Sequence, residues 1–300
     1  MKKLLLFAAC AAAMVACSQS KQTEAPIVEE RIPIKISTNI SRANDYGFEY
    51  GDRVGIYVSH YYESAEGWNP VYLQTSGNYV DNMGFGYDGA GTWTPDEPIY
   101  WFDKSTPVDF YCYYPHSYVN DVFSHCFYVQ ADQSSLDNYK ASDFLWGKSE
   151  HIYPTADAVG IQVNHLFSNA LISIVPGKGF TQEDLNNASI SVRICNICTE
   201  ATINLYEGTA SATGYPCDVT PYNEGSYYRA LIVPQTVYGS NGLIIVNINN
   251  VDYTLKREQF TFKANKQHKF TITVNKINNG INIGIGGWDS DGEDYGGDAE

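Results

Sequence analysis

The chain has 300 residues, and 34 Asp and Glu against 19 Lys and Arg give it a formal net charge of −15. A surface that acidic repels phosphate backbones, which excludes nucleic-acid binding. Its 24 tyrosines, densest between Tyr46 and Tyr118, favour strands together with Val, Ile and Thr, while Leu, Ala, Glu and Lys are too few for helix bundles, so the composition indicates an all-β protein.

Residues 1–17 read as an export signal, with Lys2 and Lys3 before a short apolar run, Leu4 to Ala13, too short to span a bilayer. The run ends in Met14-Val15-Ala16-Cys17, which resembles the lipobox of bacterial lipoproteins and makes Cys17 the expected lipidation site. An ordinary secretory signal is the alternative. Residues 18–31 are polar and read as a flexible tether.

Arg31 to Ala43 follows as RIPIKISTNISRA. Ile32, Ile34, Ile36, Thr38 and Ile40 alternate with polar residues and Pro33, the period of a half-buried strand. Arginines flank it, so a trypsin-like protease cutting at Arg31 or Arg42 would free the strand and expose a sheet edge for another chain to fill. The plain reading is an ordinary first strand, with Arg42 in an ordinary turn.

Further strands are expected around Val54–Val58, Ile99–Phe102, Val108–Tyr114, Ile161–Phe167, Ala170–Pro176, Ile190–Ile197, Ala201–Leu205, Tyr228–Val233, Leu243–Ile248, Tyr253–Leu255 and Phe270–Val274. Turns between them place them at sandwich spacing. Phe180 to Asn187 is the one helical turn expected, with Thr181 as its cap. Ser135 to Lys148 reads as polar connection. Ile281, Ile283 and Ile285 alternate again near the end, and 289–300 form an acidic tail without the spacing of a calcium loop. The expected division is 32–164 and 165–288, one β-sandwich each.

Five cysteines lie beyond Cys17: Cys112, Cys126, Cys195, Cys198 and Cys217. An odd number cannot all pair within one chain, and their pairing stays open. Cys195 and Cys198 form a C-x-x-C, but residues three apart on a strand face opposite sides, so buried small hydrophobes are the better reading and no metal or cofactor is expected. The six histidines show no metalloprotease spacing and no G-x-S-x-G is present, so an enzyme is not expected.

In order along the chain stand Cys17, then Ser41-Arg42-Ala43, then Phe48-x-x-Gly51-Asp52-x-Val54-Gly55-Ile56-Tyr57 and Tyr113-Tyr114-Pro115. Asp143-Phe144-Leu145-Trp146, His165-x-Phe167-x-x-Ala170-Leu171-Ile172-x-Ile174, Tyr228-x-Ala230-x-Ile232-x-Pro234-Gln235-Thr236 and the end Trp288…Gly296-Gly297-Asp298-Ala299-Glu300 follow. Together they resemble the fimbrillin family, the type V pilin subunits and their lipoprotein relatives. The resemblance implies two tandem transthyretin-like sandwiches, a lipid-anchored outer-membrane protein serving cell adhesion, and cleavage after an arginine, for which Arg42 before Ala43 fits better than Arg31. It also implies polymerisation with other fimbrial subunits by donor-strand exchange. The strand Ile32–Ile40 would be displaced, and one including Ile281, Ile283 and Ile285 would be donated. The alternative is a surface glycan-binding lipoprotein recognising a host protein or glycan. Tyr61, Tyr62, Trp68, Tyr72, Tyr87, Trp93, Tyr100 and Trp101 would supply its stacking surface if they share an exposed face; otherwise they are cross-strand core pairs.

Overall fold

The computed structural model describes residues 31–40, 47–277, 280–286 and 297–299, with the backbone alone for 39–40, 277, 280–286 and 297–299. From Ile32 onward these residues belong to one compact unit, nearly all β. The first half carries β1 (Ile36–Ile40), β2 (Arg53–Ser64), β3 (Gly67–Pro70), β4 (Val80–Tyr87), β5 (Trp93–Pro95), β6 (Val108–Tyr114) and β7 (His125–Tyr128). Helix α1 (Leu136–Lys140), β8 (Leu145–Ile152) and β9 (Val159–His165) complete it. The second half begins with β10 (Ser168–Pro176), α2 (Gln182–Asn186), β11 (Ile190–Asn204), β12 (Thr209–Val219) and β13 (Tyr222–Asn223). It continues through β14 (Tyr228–Ile232), β15 (Gln235–Ile248), β16 (Val251–Phe262), β17 (Gln267–Ile277), β18 (Gly280–Gly286) and β19 (Gly297–Ala299).

Three sheets result. The first runs β1-β9-β8-β6-β2-β4-β5, with β3 added to β2. The second runs β13-β14-β10-β17-β18-β19, and the third β12-β11-β15-β16, with β7 added to β11. The second and third face each other across one core, in which Ile172, Phe270 and Ile272 meet Ile194, Ile244, Leu255 and Phe262.

The first sheet is buried on both faces at its centre. Val54, Ile56, Val58, Phe110 and Cys112 point into one core with Ile34, Ile36 and Ile161. Their neighbours Tyr57, Tyr111 and Tyr113 point the other way, into a core shared with Phe144, Phe167, Ala201 and Ile203. This is why Val54–Val58 and Val108–Tyr114 read as continuous apolar runs rather than alternations. Gly55 is fixed by the same packing, because a Cβ there would collide with the Tyr113 ring.

Helix α2 starts as expected: Thr181 caps it, and its side chain and that of Asp184 close a capping box. Helix α1 was not expected. Ser135 caps it by accepting from the Asn138 N–H, and its single buried residue, Tyr139, is too little apolar periodicity to mark a helix in sequence. The separate strands expected at Ile190–Ile197 and Ala201–Leu205 are one long β11, bulged where its pairing with β12 shifts register. Strand β12 carries Gly214 and Pro216 and gives no strand signal of its own.

One buried amide ties the halves together. Gln133 is fully buried; its Nε2 donates to the Leu231 carbonyl at 2.9 Å and its Oε1 accepts from the Leu231 N–H at 2.9 Å. The side chain thus serves the β14 backbone as a further strand would. Gln133→Leu strands a buried donor and acceptor of Leu231, so urea denaturation should show a loss of about 2–4 kcal/mol. A loss within about 0.5 kcal/mol would show that Leu231 finds other partners.

Candidate functional site

The segment Ile32–Ile40 closes the first sheet, and it does so from two sides. Its first half lies antiparallel to residues 99–101: the Ile34 N–H donates to the Ile99 carbonyl at 2.9 Å and the Trp101 N–H to the Ile32 carbonyl at 2.9 Å. Between these bonds Pro33 faces Tyr100. In an antiparallel ladder that position asks for no N–H, so the proline costs nothing. The second half, β1, turns to pair in parallel with β9, Ile36 opposite Val159 through Ile40 opposite Val163.

Ile34 and Ile36 are buried in the first core and Ile32 packs against it, while Pro33 and Lys35 face out. The expected alternation is therefore realised at these positions. Thr38 is half-buried, and its Oγ1 is enclosed without a hydrogen-bond partner. Strand β1 is an edge strand, joined on one side only.

Strand β18, which carries Ile281, Ile283 and Ile285, folds back on β17, placing Ile283 opposite Val274 and Ile285 opposite Ile272. Beyond it lies the three-residue β19. Arg31 is exposed. Cys17, Arg42, Ala43 and most of the acidic tail lie outside the described residues.

Phe48, Asp52, Tyr114, Asp143 and Leu145 of the sequence motifs line one small cavity of about 60 Å³, with Tyr139 and Leu231. Asp52 accepts from the Tyr114 hydroxyl at 3.0 Å and from the Glu49 N–H at 2.6 Å. Burial and the Asp52 carboxylate push the Tyr114 phenol well above its ordinary range. Glu49 pairs with Lys140 at 2.5 Å, and Asp143 with His165 Nδ1 at 2.9 Å. Trp146 donates its indole N–H to the Leu205 carbonyl at 2.7 Å. Gln235 brackets the β11 bulge, accepting from the Cys198 N–H and donating to the Cys198 carbonyl, each at 2.9 Å. These contacts hold backbone and side chains in place.

The five cysteines beyond Cys17 are all free thiols. Cys112 is fully buried and burial pushes its thiol up; Cys195 is buried and raised to about 11 for the same reason. Cys126 is exposed. Among the described residues, no group of three or more His, Cys, Asp or Glu side chains is placed to hold a metal ion.

The aromatic residues weighed as a sugar-binding face do not share one. Tyr61, Trp93 and Trp101 are buried, Tyr87 packs against Trp93 at a tilt with ring centroids 4.8 Å apart, and Trp101 meets Phe110 edge-on at 5.8 Å. Only Tyr62 and Tyr72 of the eight are more than half exposed.

The fold has solved counterparts. A candidate cell adhesion protein of Bacteroides uniformis superimposes with a TM-score of 0.62 at 22% identity, over 84% of this chain and 95% of its own. A second, from Bacteroides ovatus, gives 0.63 at 15% identity, over 86% and 97%. Among curated proteins none matches the sequence. The fimbrillin-like family model matches residues 41–288, the span that holds every motif described above except Cys17 and the extreme C-terminus; the chain belongs to the fimbrillin-like family.

Proposed function

We propose that this chain is a fimbrial subunit serving cell adhesion, exported as a lipoprotein on Cys17 and assembled by donor-strand exchange after cleavage between Arg42 and Ala43. The family supports the fimbrial role. The observation that carries the mechanism is the placement of Ile32–Ile40: an edge segment that buries Ile34 and Ile36 in the first core, packs Ile32 against it, and bonds its backbone to β9 and to residues 99–101. Cutting after Arg42 would remove this strand with the lipid and open a groove lined by Val54, Phe110, Ile161 and their neighbours.

Strand β18 matches that groove in kind. It alternates isoleucine with small or polar residues, as the displaced segment does, and it sits near a sheet margin with only β19 beyond it. Each Ile side chain taken from water contributes about 1.5–3 kcal/mol before ordering costs, so three pockets and a ladder of backbone bonds suffice to join subunits. In this reading residues 32–164 and 165–288 act as two tandem sandwiches, one accepting a strand and the other donating one. The partners are other fimbrial subunits, and the site of action is the cell surface.

The chain beginning at Ala43 should form ladders of oligomers on size-exclusion chromatography, while the full chain stays monomeric. An excess of peptide spanning Arg31–Ser41 should hold the shortened chain as a monomer, and a scrambled peptide should not. Monomeric behaviour of the shortened chain with no added peptide would overturn the mechanism. Within the shortened chain, Ile283→Asp with Ile285→Asp should abolish oligomers. Unchanged oligomers in that variant would show that another segment is donated.

A further inference from the structure

A second, larger cleft opens on the second half. Strand β10 runs to Pro176, but its pairing with β14 ends at Ile172 opposite Tyr228. Beside Ser173–Val175, which keep their pairing with β17 but have lost β14, the cleft of about 760 Å³ opens between α2 and the turn leading into β14. That volume holds two or three sugar rings and exceeds what a single side chain would fill.

Its lining has two parts. Ile174, Leu185, Ala188 and Ile190 give an apolar base continuous with the second-half core. Gln182, Asn186, Asn223, Ser226 and Tyr227 surround it with amides and hydroxyls. Gln182 Nε2 donates to Asn186 Oδ1 at 3.0 Å, which leaves the Gln182 carbonyl and the Asn186 NH₂ group for a ligand. Amide and hydroxyl pairs over an apolar, tyrosine-flanked base suit the alternating hydroxyl and C–H faces of a pyranose.

The charge is what sets this cleft apart. Among the described residues, no carboxylate lines it. Its one charged group is Lys269, half-buried and without an ion pair among the described residues. An ammonium kept clear of carboxylates at a polar cleft favours an anionic ligand. Strand addition is the poorer fit, because the free edge is only Ser173–Pro176 and Pro176 has no N–H to offer.

We propose that the cleft between α2 and β14 binds an oligosaccharide of two or three rings whose acidic group faces Lys269. This goes beyond assembly and is tested on the uncleaved monomer, so it stands or falls apart from donor-strand exchange. Isothermal titration of the full chain should use sialyllactose, a uronic-acid disaccharide from hyaluronan, and lactose as the neutral control. One of the two acidic probes should bind at one site per chain, and which one does identifies the source of the acid. Lys269→Gln should weaken that probe at least tenfold, and Asn186→Ala should weaken it too, with thermal melting unchanged in both. Absence of saturable binding by either acidic probe overturns the proposal, and so does equal binding of lactose or an unchanged affinity in Lys269→Gln. A strand-forming peptide that binds the cleft indifferently to Lys269→Gln would assign it to sheet extension and overturn the sugar reading.

Discussion

A nine-residue segment runs from the stretch after β5 to the margin of the first sheet at β9. Ile32–Ile34 bonds to the stretch after β5 and β1 bonds to β9 at the sheet margin, while Ile34 and Ile36 are buried in the core between and Ile32 packs against it. Its Ile34 and Ile36 share one buried core with Val54, Ile56, Phe110 and Ile161. A closure made by a terminal strand differs from one made by a central strand. It can be withdrawn without breaking the covalent path through the remaining sheet, and something of like pattern can take its place.

The first sheet's other face makes this tolerable. Tyr57, Tyr111 and Tyr113 pack against Phe144, Phe167 and the middle of β11, independently of Ile32–Ile40. Tyr113 is anchored at its hydroxyl as well, 2.7 Å from Asn82 Oδ1 and 2.8 Å from the Ser117 carbonyl. Gln133 and Gln235 add amide brackets on the side of the second half. The sheet is therefore held from behind by a core that the closing strand does not touch, so loss of the strand opens a groove without removing the sheet's other support.

The all-β class and the closing strand were legible because both rest on local signals: composition for the first, a clean period of two for the second. The Thr181 cap was equally local. What escaped was whatever depends on distant partners. Strand β12, rich in Gly, Ala, Ser and Thr, is a strand only because β11 lies beside it, and α1 is held by its Ser135 cap and one buried tyrosine. The tyrosines and tryptophans between Tyr61 and Trp101 looked alike in sequence, yet Trp93 and Trp101 are core and Tyr72 is surface. The family motifs show the same divide. Their order along the chain was readable, but the contacts that explain them, Asp52 with Tyr114, Asp143 with His165 and Gln235 with Cys198, join positions 22 to 62 residues apart. The acidic-sugar cleft had no sequence signature, because its lining comes from β10, α2, the turn before β14 and β17.

The most direct test of the withdrawable strand is the intact mass and N-terminal sequence of the protein taken from its own cell envelope. A mature chain that begins at Ala43 and carries no lipid is the result this account predicts, since it places Ile32–Ile40 outside the working subunit. A chain that begins at a lipidated Cys17 and retains Ile32–Ile40 would contradict it and leave the strand as a permanent part of the sheet.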